Sequence, residues 1–497
     1  MRPTSMASPG SIVVAGATGF VGSALAPQLA AAGHHVVGLT RGPSRGPTGA
    51  WAELRSCDLF SARDLEAALV GARTVIYLVH SMMPSARLVQ GSFADLDLIC
   101  ADNLGRAARA AGVEQIVYLG GLVPAHGDDA PLSPHLASRL EVERALGAAG
   151  VPVTTLRAGL VIGPGGSSWQ MLERLVRRLP WMLCPRWTSH ACQPIDLATM
   201  VALLAHVVGR RPTFGHTYDV GGPDVLSYRE MMRRTAAQLG LRRRMQPVPL
   251  LTPGLSSAWV SLVTGAPRAL VRPLIESLRH DMVCGDRRLQ AEAGLPGRGF
   301  DDAVAACIAG AARSTAATAP RAYQAPPPPR RTGVRSVQRI ELPRGRDAMW
   351  AAHAYMAWLP AGVWPWLRVE VDAARVCAFY LRGWRRPLLI LRFAAERSRA
   401  ERQLFYIVGG VLARTAAAEP QPGARDRLEF RVTPDGAHLL TAIHDYHPRL
   451  PWWLYRASQA WVHRLVMAAF GRHLRRQPPA AADDGDGTAE ERVAARG

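Results

Sequence analysis

Short apolar runs alternate with longer helical patterns over about the first 160 residues of the chain. The apolar runs resemble buried strands because they are short, rich in β-branched residues and bounded by turn residues. They are Ile12–Ala15, His35–Thr40, Thr74–Val79, Gln115–Leu119 and Val153–Leu156. Helical periodicity fills the intervals, for example over Phe93–Ala110 and Ser138–Ala148. The alternation predicts an α/β fold with a doubly wound parallel sheet, whose ligand crevice lies at the carboxyl ends of the strands.

The pattern changes twice further along the chain. It is mostly helical from Arg157 to about Ala312, so we expect one N-terminal domain over residues 1–312. Residues 313–332 include four consecutive prolines, Pro326 to Pro329, and predict a stiff linker. Residues 333–477 contain an extended run, a helical run, several further strand-like runs and a closing helical pattern, which together predict an α+β domain. Residues 478–497 are rich in Pro, Ala, Asp, Glu and Gly, and a disordered tail is expected.

A glycine-rich turn follows the first predicted strand. Residues 12–22 contain Ile-Val-Val-Ala-Gly-Ala-Thr-Gly-Phe-Val-Gly. In a strand–turn–helix of this kind, the first glycine permits a tight turn, the second lets the backbone approach a pyrophosphate and the third lets the helix pack closely on the strand. The helix N-terminus then offers N–H groups to the phosphates. The motif predicts a dinucleotide site formed by Gly16, Thr18, Gly19, Phe20, Val21 and Gly22, with an ordinary tight turn as the alternative.

The end of the second strand indicates which dinucleotide is bound. NAD sites usually hold the ribose hydroxyls with a carboxylate at this point, but this strand ends Gly38-Leu39-Thr40-Arg41 without an acid. Arg41 could pair with a 2′-phosphate, so NADP(H) is favoured over NAD(H). Asp58 and Leu59 are expected to meet the adenine, although Asp58 could instead cap the next helix. Val79 and His80 are expected to line the nicotinamide side of the crevice, with a contact through the backbone alone as the alternative.

The segment Gly16–Gly22 resembles the fingerprint of extended and atypical short-chain dehydrogenase/reductases, including the NmrA-like group. Arg157–Gly165, Gln193–Asp196 and Tyr218–Pro223 are similar to later landmarks of that family. The resemblance covers roughly residues 10–310. It implies a Rossmann fold, NAD(P) binding and an oxidoreductase or epimerase-like activity.

The chain departs from this family where the family carries its catalytic residues. Active members have Tyr-x-x-x-Lys on the helix after the fifth strand, together with a serine near the end of that strand. The matching segment here is His135-Leu136-Ala137-Ser138-Arg139, and the serine region is Tyr118–Leu122. His135 could donate a proton and Arg139 could hold the nicotinamide ribose, whereas a helix-start histidine and a surface arginine are the alternative. The departure resembles the Rossmann accessory subunit of respiratory complex I, which implies a non-catalytic nucleotide-binding role as a competing hypothesis.

The order of predicted elements in residues 333–477 is similar to START-like folds. It also resembles a domain of unknown function that is fused to atypical reductases in bacteria; the segments Arg402–Gly410 and His444–Trp452 carry that likeness. The resemblance implies a cavity for a small apolar ligand. In the closing helical pattern, Trp453–Arg475, apolar positions 454, 461, 465 and 469 favour packing against a sheet, with peripheral membrane contact as the alternative. His444 and His447 are three residues apart on a predicted strand and would face opposite sides, which argues against a metal pair.

Composition narrows the functional classes. All 59 basic residues are arginine, so a catalytic lysine is excluded, and the net charge of +20 is spread along the chain. This spread does not indicate a nucleic-acid partner, and no protein partner is indicated either. Seven scattered cysteines without a CxxC pair predict a reducing compartment, no disulfide framework and no metal site. No apolar run reaches the ~18 residues of a membrane span and no signal peptide is recognisable, so a cytoplasmic location is expected.

Overall fold

The computed structural model describes residues 10–80, 88–124, 132–248, 253–315, 333–362, 367–373, 375–414 and 426–480. The chain divides into two compact units. Unit 1 comprises residues 1–83 and 96–327, and unit 2 comprises residues 84–95 and 328–497. A short segment from the N-terminal half therefore belongs to the second unit, which the sequence analysis did not anticipate.

The described residues form the following strands and helices. The strands are β1 (Ser11–Ala15), β2 (Val36–Thr40), β3 (Glu53–Ser56), β4 (Ala72–Tyr77), β5 (Leu88–Gln90), β6 (Gln115–Gly121), β7 (Val153–Ala158), β8 (Val161–Ile162), β9 (Trp181–Pro185), β10 (Ala191–Cys192), β11 (Ile195–Asp196), β12 (Thr217–Val220), β13 (Leu226–Ser227), β14 (Arg244–Val248), β15 (Val334–Glu341), β16 (Leu367–Val371), β17 (Val376–Leu381), β18 (Pro387–Phe393), β19 (Arg402–Gly409), β20 (Arg427–Val432) and β21 (His438–Tyr446). The helices are α1 (Phe20–Ala31), α2 (Ala62–Ala68), α3 (Phe93–Ala110), α4 (Pro134–Gly147), α5 (Ser167–Arg178), α6 (Leu197–Val207), α7 (Tyr228–Gln238), α8 (Pro253–Thr264), α9 (Arg268–Ser277), α10 (Arg288–Ala293), α11 (Phe300–Thr315), α12 (Ala348–Gly362), α13 (Trp452–Ala457) and α14 (Gln459–Leu474). None of these helices is long and apolar enough to cross a membrane.

Unit 1 is built on a seven-stranded sheet in the order β12-β7-β6-β4-β1-β2-β3. Every pairing in it is parallel. β1 is buried along its whole length because helices cover both faces of such a sheet. On one face α1 packs against α6, and Leu25, Leu29, Leu203 and Leu204 join the core there. The predicted doubly wound α/β fold is confirmed.

Unit 2 is built on a separate mixed sheet of eight strands in the order β16-β17-β18-β19-β20-β21-β15-β5. Its neighbours are antiparallel except for β5, which pairs in parallel with β15 at the sheet edge. α12 and α14 pack on one face of this sheet. Aromatic rings fill that layer: the Tyr355 ring centroid lies 5.1 Å from that of Phe430 and 5.0 Å from that of Phe470.

The closing helical pattern differs from the prediction in two ways. The single helix predicted over Trp453–Arg475 is two helices, α13 and α14, because the backbone at Ser458 is not helical (φ −123°, ψ −81°). The buried face of α14 carries Met467, Phe470 and Leu474. Trp461 and Leu465 lie on the opposite face and are 58% and 62% exposed, so core packing is wrong for these two positions.

The predicted linker and tail are only partly described. Residues 313–315 are the last residues of α11, so the linker does not begin at 313. Residues 316–332, with the four prolines, and residues 481–497 of the predicted tail lie outside the described residues.

The aromatic layer of unit 2 makes a testable prediction. Phe470→Ala should lower the free energy of unfolding by about 3–5 kcal/mol, because it removes a fully buried ring and leaves a cavity. Trp461→Ala, on the exposed face of the same helix, is the matched control and should change it by less than about 1 kcal/mol. Urea denaturation followed by circular dichroism measures both values. Equal losses for the two variants would show that α14 does not pack through Phe470.

Candidate functional site

The glycine-rich turn has the geometry that a dinucleotide site requires. Gly16 has φ +94°, and a Cβ there would lie 3.2 Å from backbone atoms of Leu78. The Gly19 amide donates a hydrogen bond of 2.9 Å to the Gly16 carbonyl and closes the turn. A Cβ at Gly22 would overlap that same carbonyl oxygen, so only glycine lets α1 approach β1 so closely. The turn therefore holds the N-terminus of α1 at the carboxyl end of β1.

The first turn of α1 offers backbone donors to an anion. Gly19 is its N-cap residue, with an extended backbone, and no side chain caps the helix within the described residues. No acidic residue stands in the first turn, so Phe20, Val21 and Gly22 present N–H groups to a phosphate without charge repulsion. Thr18 is exposed beside them. The Phe20 ring instead packs against Gly163 and Gly166, where an added Cβ would lie 2.9 Å from it, so Phe20 can contribute only its backbone.

Arg41, Asp58 and Leu59, the residues expected to meet the adenosine, follow β2 and β3. Arg41 follows β2 directly and is exposed, and β2 is the parallel neighbour of β1. Asp58 is buried after β3 and accepts a hydrogen bond of 3.4 Å from the Phe60 amide. The cap of α2 is Ser61, whose hydroxyl accepts from the Asp64 amide, so the alternative that Asp58 caps this helix is wrong. The carbonyl of the neighbouring Leu59 accepts a hydrogen bond of 3.0 Å from the Asn103 amide.

A cluster of polar side chains lies at the other end of the crevice. β4 ends at Tyr77, so Val79 and His80 stand just beyond the strand, at its carboxyl end. The His80 Nδ1 lies 2.9 Å from an Asp97 oxygen on α3. The ring centroids of His80 and His135 are 5.0 Å apart. The structure therefore brings together two histidines that are 55 positions apart in the sequence.

His135 and Arg139 share one face of α4, as their i, i+4 spacing requires. α4 begins at Pro134, earlier than predicted, because the Ser133 hydroxyl accepts the Leu136 amide and caps it. The Arg139 guanidinium lies 5.9 Å from the ring centroid of Tyr118 on β6. The Tyr118 hydroxyl donates to the Arg139 carbonyl at 3.3 Å. The alternative of a purely surface arginine is not what the structure shows, since Arg139 is half-buried against this ring.

The electrostatics of the cluster keep its histidines neutral. Burial, the positive charge of Arg139 and the neighbouring His80 lower the pKa of His135 to about 3. Burial and Arg139 also lower the pKa of His80, although the hydrogen bond that its ring makes to the Asp97 carboxylate opposes this shift. Burial raises the pKa of Tyr118 to about 12. At neutral pH His80, His135 and Tyr118 are consequently neutral hydrogen-bonding groups near Arg139.

Two buried polar atoms in the cluster have no protein partner among the described residues. They are Nη1 of Arg139 and the hydroxyl oxygen of Ser138. A buried guanidinium N–H without an acceptor is costly, and a ribose hydroxyl of a dinucleotide would supply one. Together with the glycine turn, this arrangement fits a nicotinamide dinucleotide, and it is the position that the family resemblance assigns to the ribose-binding lysine.

An apolar cavity of about 140 Å³ adjoins this cluster; we call it the inner cavity. Gly121 and Ala158, the last residues of β6 and β7, line it together with His135. Most of the remaining wall is aliphatic or aromatic, including Met171, Leu172 and Ile275. His135 therefore belongs both to the polar cluster and to the wall of an apolar chamber.

Sequence reasoning missed Asp97 and the inner cavity. Asp95, Asp97, Asp102 and Asn103 are buried polar residues within α3, a helix that is otherwise largely apolar on its buried side. Carboxylates inside an apolar stripe were the available signal for Asp97. The cavity walls come from distant segments, and no local pattern indicates them.

Metal binding finds no support within the ranges that the structure describes, because no group of three His, Cys, Asp or Glu side chains is placed to hold an ion. His444 is buried in β21, whereas His447 follows the strand and lies 3.1 Å from Asp426. The two histidines do not form a pair.

Comparison with known proteins agrees with this geometry. Residues 12–182 match the NAD dependent epimerase/dehydratase family. The epimerase family protein SDR39U1 of Homo sapiens is 26% identical over 274 residues, which are 52% of this chain and 88% of that protein. The auxiliary protein GraX of Staphylococcus aureus is 28% identical over 114 residues, but the match spans only 36% of GraX and 22% of this chain. The structure of MoeE5 in complex with UDP-glucose and NAD is 24% identical, with a TM-score of 0.47, over 62% of this chain and all of that one.

The lowered pKa of His135 makes stability depend on pH. The unfolded chain binds a proton near the ordinary pKa of 6.5, and the folded chain does not until about 3. The free energy of unfolding therefore falls as pH falls below 6.5. In His135→Gln the fall between pH 6.5 and 4.5 should be smaller by on the order of 2 kcal/mol. Chemical denaturation of both proteins at each pH measures this difference, and identical pH slopes would contradict a buried neutral His135.

Proposed function

We propose that this chain, whose N-terminal region is of the epimerase/dehydratase type, is an NADP(H)-dependent oxidoreductase for an apolar substrate. The observation that carries the proposal is the double position of His135. This residue stands in the polar cluster at the nicotinamide end of the crevice and also lines the inner cavity. A substrate in the inner cavity would place its reacting carbon next to the crevice, with only the His135 side chain between the two.

The residues present fit the cofactor. The turn Gly16–Gly22 would hold the pyrophosphate, Arg41 the 2′-phosphate and Arg139 the nicotinamide ribose. Arg41 has no neighbouring acid in its strand end, which supports NADP(H) over NAD(H). When bound, the nicotinamide supplies or accepts a hydride.

The protein side chains orient and polarise the substrate in this proposal. A neutral His135 donates a hydrogen bond from a ring N–H to a substrate carbonyl oxygen, as neutral imidazoles do in other enzymes. The His80–Asp97 contact fixes the ring that His135 packs against. The aliphatic walls of the inner cavity exclude water, which strengthens the hydrogen bond.

A specific observation favours a second candidate, a non-catalytic NADP(H)-binding protein that senses redox state or stabilises a complex. With the pKa of His135 at about 3 and that of Tyr118 at about 12, neither group changes protonation near neutral pH. Active members of the family that the sequence resembles use a tyrosine and a lysine for proton transfer, at the positions of His135 and Arg139 in this chain. Tight cofactor binding without any substrate-dependent oxidation would favour this candidate.

For unit 2 we propose the START-like assignment, which the strand order from β16 to β21 followed by β15 supports, with α12 and α14 on one face. Tyr355, Phe430 and Phe470 occupy the layer in which such a domain would hold an apolar ligand. Because these rings fill that layer, the inner cavity of unit 1 is the better supported place for the substrate.

Cofactor titration tests the first part of the proposal. NADPH fluorescence should show saturable binding that Arg41→Ala weakens by about 10- to 100-fold, the effect of losing charge-assisted hydrogen bonds worth ~1.5–3 kcal/mol. NADH binding should not change in the same variant. Arg73→Ala is the matched control, because Arg73 is an exposed arginine on β4 that pairs with Glu114.

Gly19→Asp separates a cofactor site from a structural turn. An added Cβ at Gly19 meets only the Gly16 oxygen, at 3.1 Å, and aspartate is a favourable N-cap, so the fold should tolerate the change. Its carboxylate should nonetheless abolish binding of both nucleotides by repelling the pyrophosphate. Unchanged nucleotide binding in a folded Gly19→Asp protein would refute the site.

Turnover tests the second part. NADPH oxidation is followed at saturating cofactor with a series of aliphatic aldehydes and ketones. His135→Phe should lower kcat/KM by about 10- to 100-fold, with NADPH affinity unchanged, because it removes the donor that polarises the substrate. His135→Gln keeps an N–H donor and should recover part of the loss, and His216→Phe, an exposed histidine at β12, should have no effect. Equal rates in wild type and His135→Phe would remove His135 from the reaction.

A further inference from the structure

The inner cavity has a neighbour that leads to the surface. This outer cavity, of about 220 Å³, shares four wall residues with the inner one, namely Leu175, Trp187, Met232 and Val260. Leu183 of β9 also lines the outer cavity and is 47% exposed. The two cavities share wall residues, and an exposed leucine lines the outer one. A long hydrocarbon chain could therefore lie along this continuous apolar surface from the solvent toward His135.

Large exposed apolar side chains lie on β9 and α8, two of the elements that line this cavity. Trp181 lies two residues before Leu183 on the same face of β9 and is 65% exposed. Leu262 is 82% exposed on α8, the helix whose Trp259 and Val260 line the outer cavity. We call Trp181, Leu183 and Leu262 the apolar rim. Exposed groups of this size around a cavity mouth are typical of surfaces that meet an apolar partner.

The segments around the rim carry positive charge without acids. Residues 174–195 contain four arginines, residues 231–275 contain seven, and neither segment has an Asp or Glu. Acids that lie just beyond these segments in the sequence pair with some of the arginines, for example Glu173 with Arg177 and Glu276 with Arg272. Arg186, Arg242 and Arg244 form no ion pair with any described residue, and Arg244 is the cross-strand partner of Trp181. Uncompensated arginines thus lie directly beside the apolar rim.

We propose that the apolar rim docks on an anionic lipid bilayer and that the substrate is a membrane amphiphile whose hydrocarbon chain enters through the outer cavity. Tryptophan favours the bilayer interface, leucines insert among acyl chains, and arginines beside them are attracted by anionic headgroups. The docking itself is independent of the proposed function. The assignment of the end of the substrate's hydrocarbon chain to the neighbourhood of His135 does rest on the proposed function.

A second surface competes for this role. Trp453, Trp461 and Leu465 are exposed on α13 and α14, and Arg464 lies over the Trp461 ring at 5.5 Å. The apolar rim continues into the outer cavity, and through its shared walls to the inner cavity that His135 lines. The rim is for this reason the surface that we assign to the bilayer, and the α13–α14 surface becomes the comparison.

Co-sedimentation of the full chain with vesicles tests the docking. Vesicles of equal parts phosphatidylcholine and phosphatidylglycerol should pellet the protein at low salt, and phosphatidylcholine alone should pellet much less. The double variant Trp181→Ser, Leu262→Ser should bind the anionic vesicles at least tenfold more weakly, and Arg242→Gln, Arg244→Gln should lose about tenfold or more with reduced salt dependence. Val70→Ser, Val225→Ser replaces two other exposed apolar residues of unit 1 and should bind like wild type.

The outcomes separate the alternatives. Absence of wild-type binding, or binding that the rim variants leave unchanged, overturns the proposal. Loss of binding in Trp461→Ser, Leu465→Ser but not in the rim variants also overturns it and assigns the bilayer to α13–α14. A self-associated wild type that the rim variants convert to monomer, without vesicle binding, would show that a second copy covers the rim. NADPH titration of the same samples distinguishes failed docking from a failed proposed function, and a circular dichroism melt confirms that each variant is folded.

Discussion

The close approach of α1 to β1 is the constraint on which the site depends. Gly22 lies so near the Gly16 carbonyl that no side chain can be inserted, and the positive φ of Gly16 reverses the chain before the helix begins. This packing directs the first N–H groups of α1 into the crevice at the carboxyl edge of the parallel sheet. The ends of β2 and β4 then place Arg41 and His80 on opposite sides of that helix terminus. The positions of Arg41 and of the polar cluster are consequences of the same strand order.

The polar cluster has an arginine where the family that the sequence resembles has its lysine. α4 carries His135 and Arg139 one turn apart. Active members of the family that the sequence resembles have a tyrosine and a lysine at these two positions. Burial, and after it the charge of the neighbouring guanidinium, suppresses the protonation of the two imidazoles. The same arginine retains an unpartnered buried Nη1 that a ribose hydroxyl can satisfy. The arrangement favours holding a dinucleotide and polarising an oxygen over transferring protons near neutral pH, and it sits against an apolar chamber.

Local patterns predicted more of this molecule than non-local ones. Each predicted strand of unit 1 overlaps an observed strand, and α3 has the predicted bounds Phe93–Ala110, because apolar periodicity and turn residues are local signals. β3 was missed because its residues, Glu53–Ser56, are mainly polar at a sheet edge. β5 was missed because three residues form a strand only by pairing with β15, some 250 positions away. Asp97 and the cavities were missed because they depend on distant segments meeting.

A crystal structure of the complex with NADP⁺ tests the central claim most directly, since that claim is that the cofactor crevice and the inner cavity meet at His135. We expect pyrophosphate oxygens on the amides of Phe20 and Val21, the 2′-phosphate on Arg41, and the nicotinamide ring beside His135 at the mouth of the inner cavity. A crevice without nucleotide at saturating concentration would contradict the account. So would a nicotinamide ring that points away from His135, because the apolar chamber would then have no access to the reacting carbon.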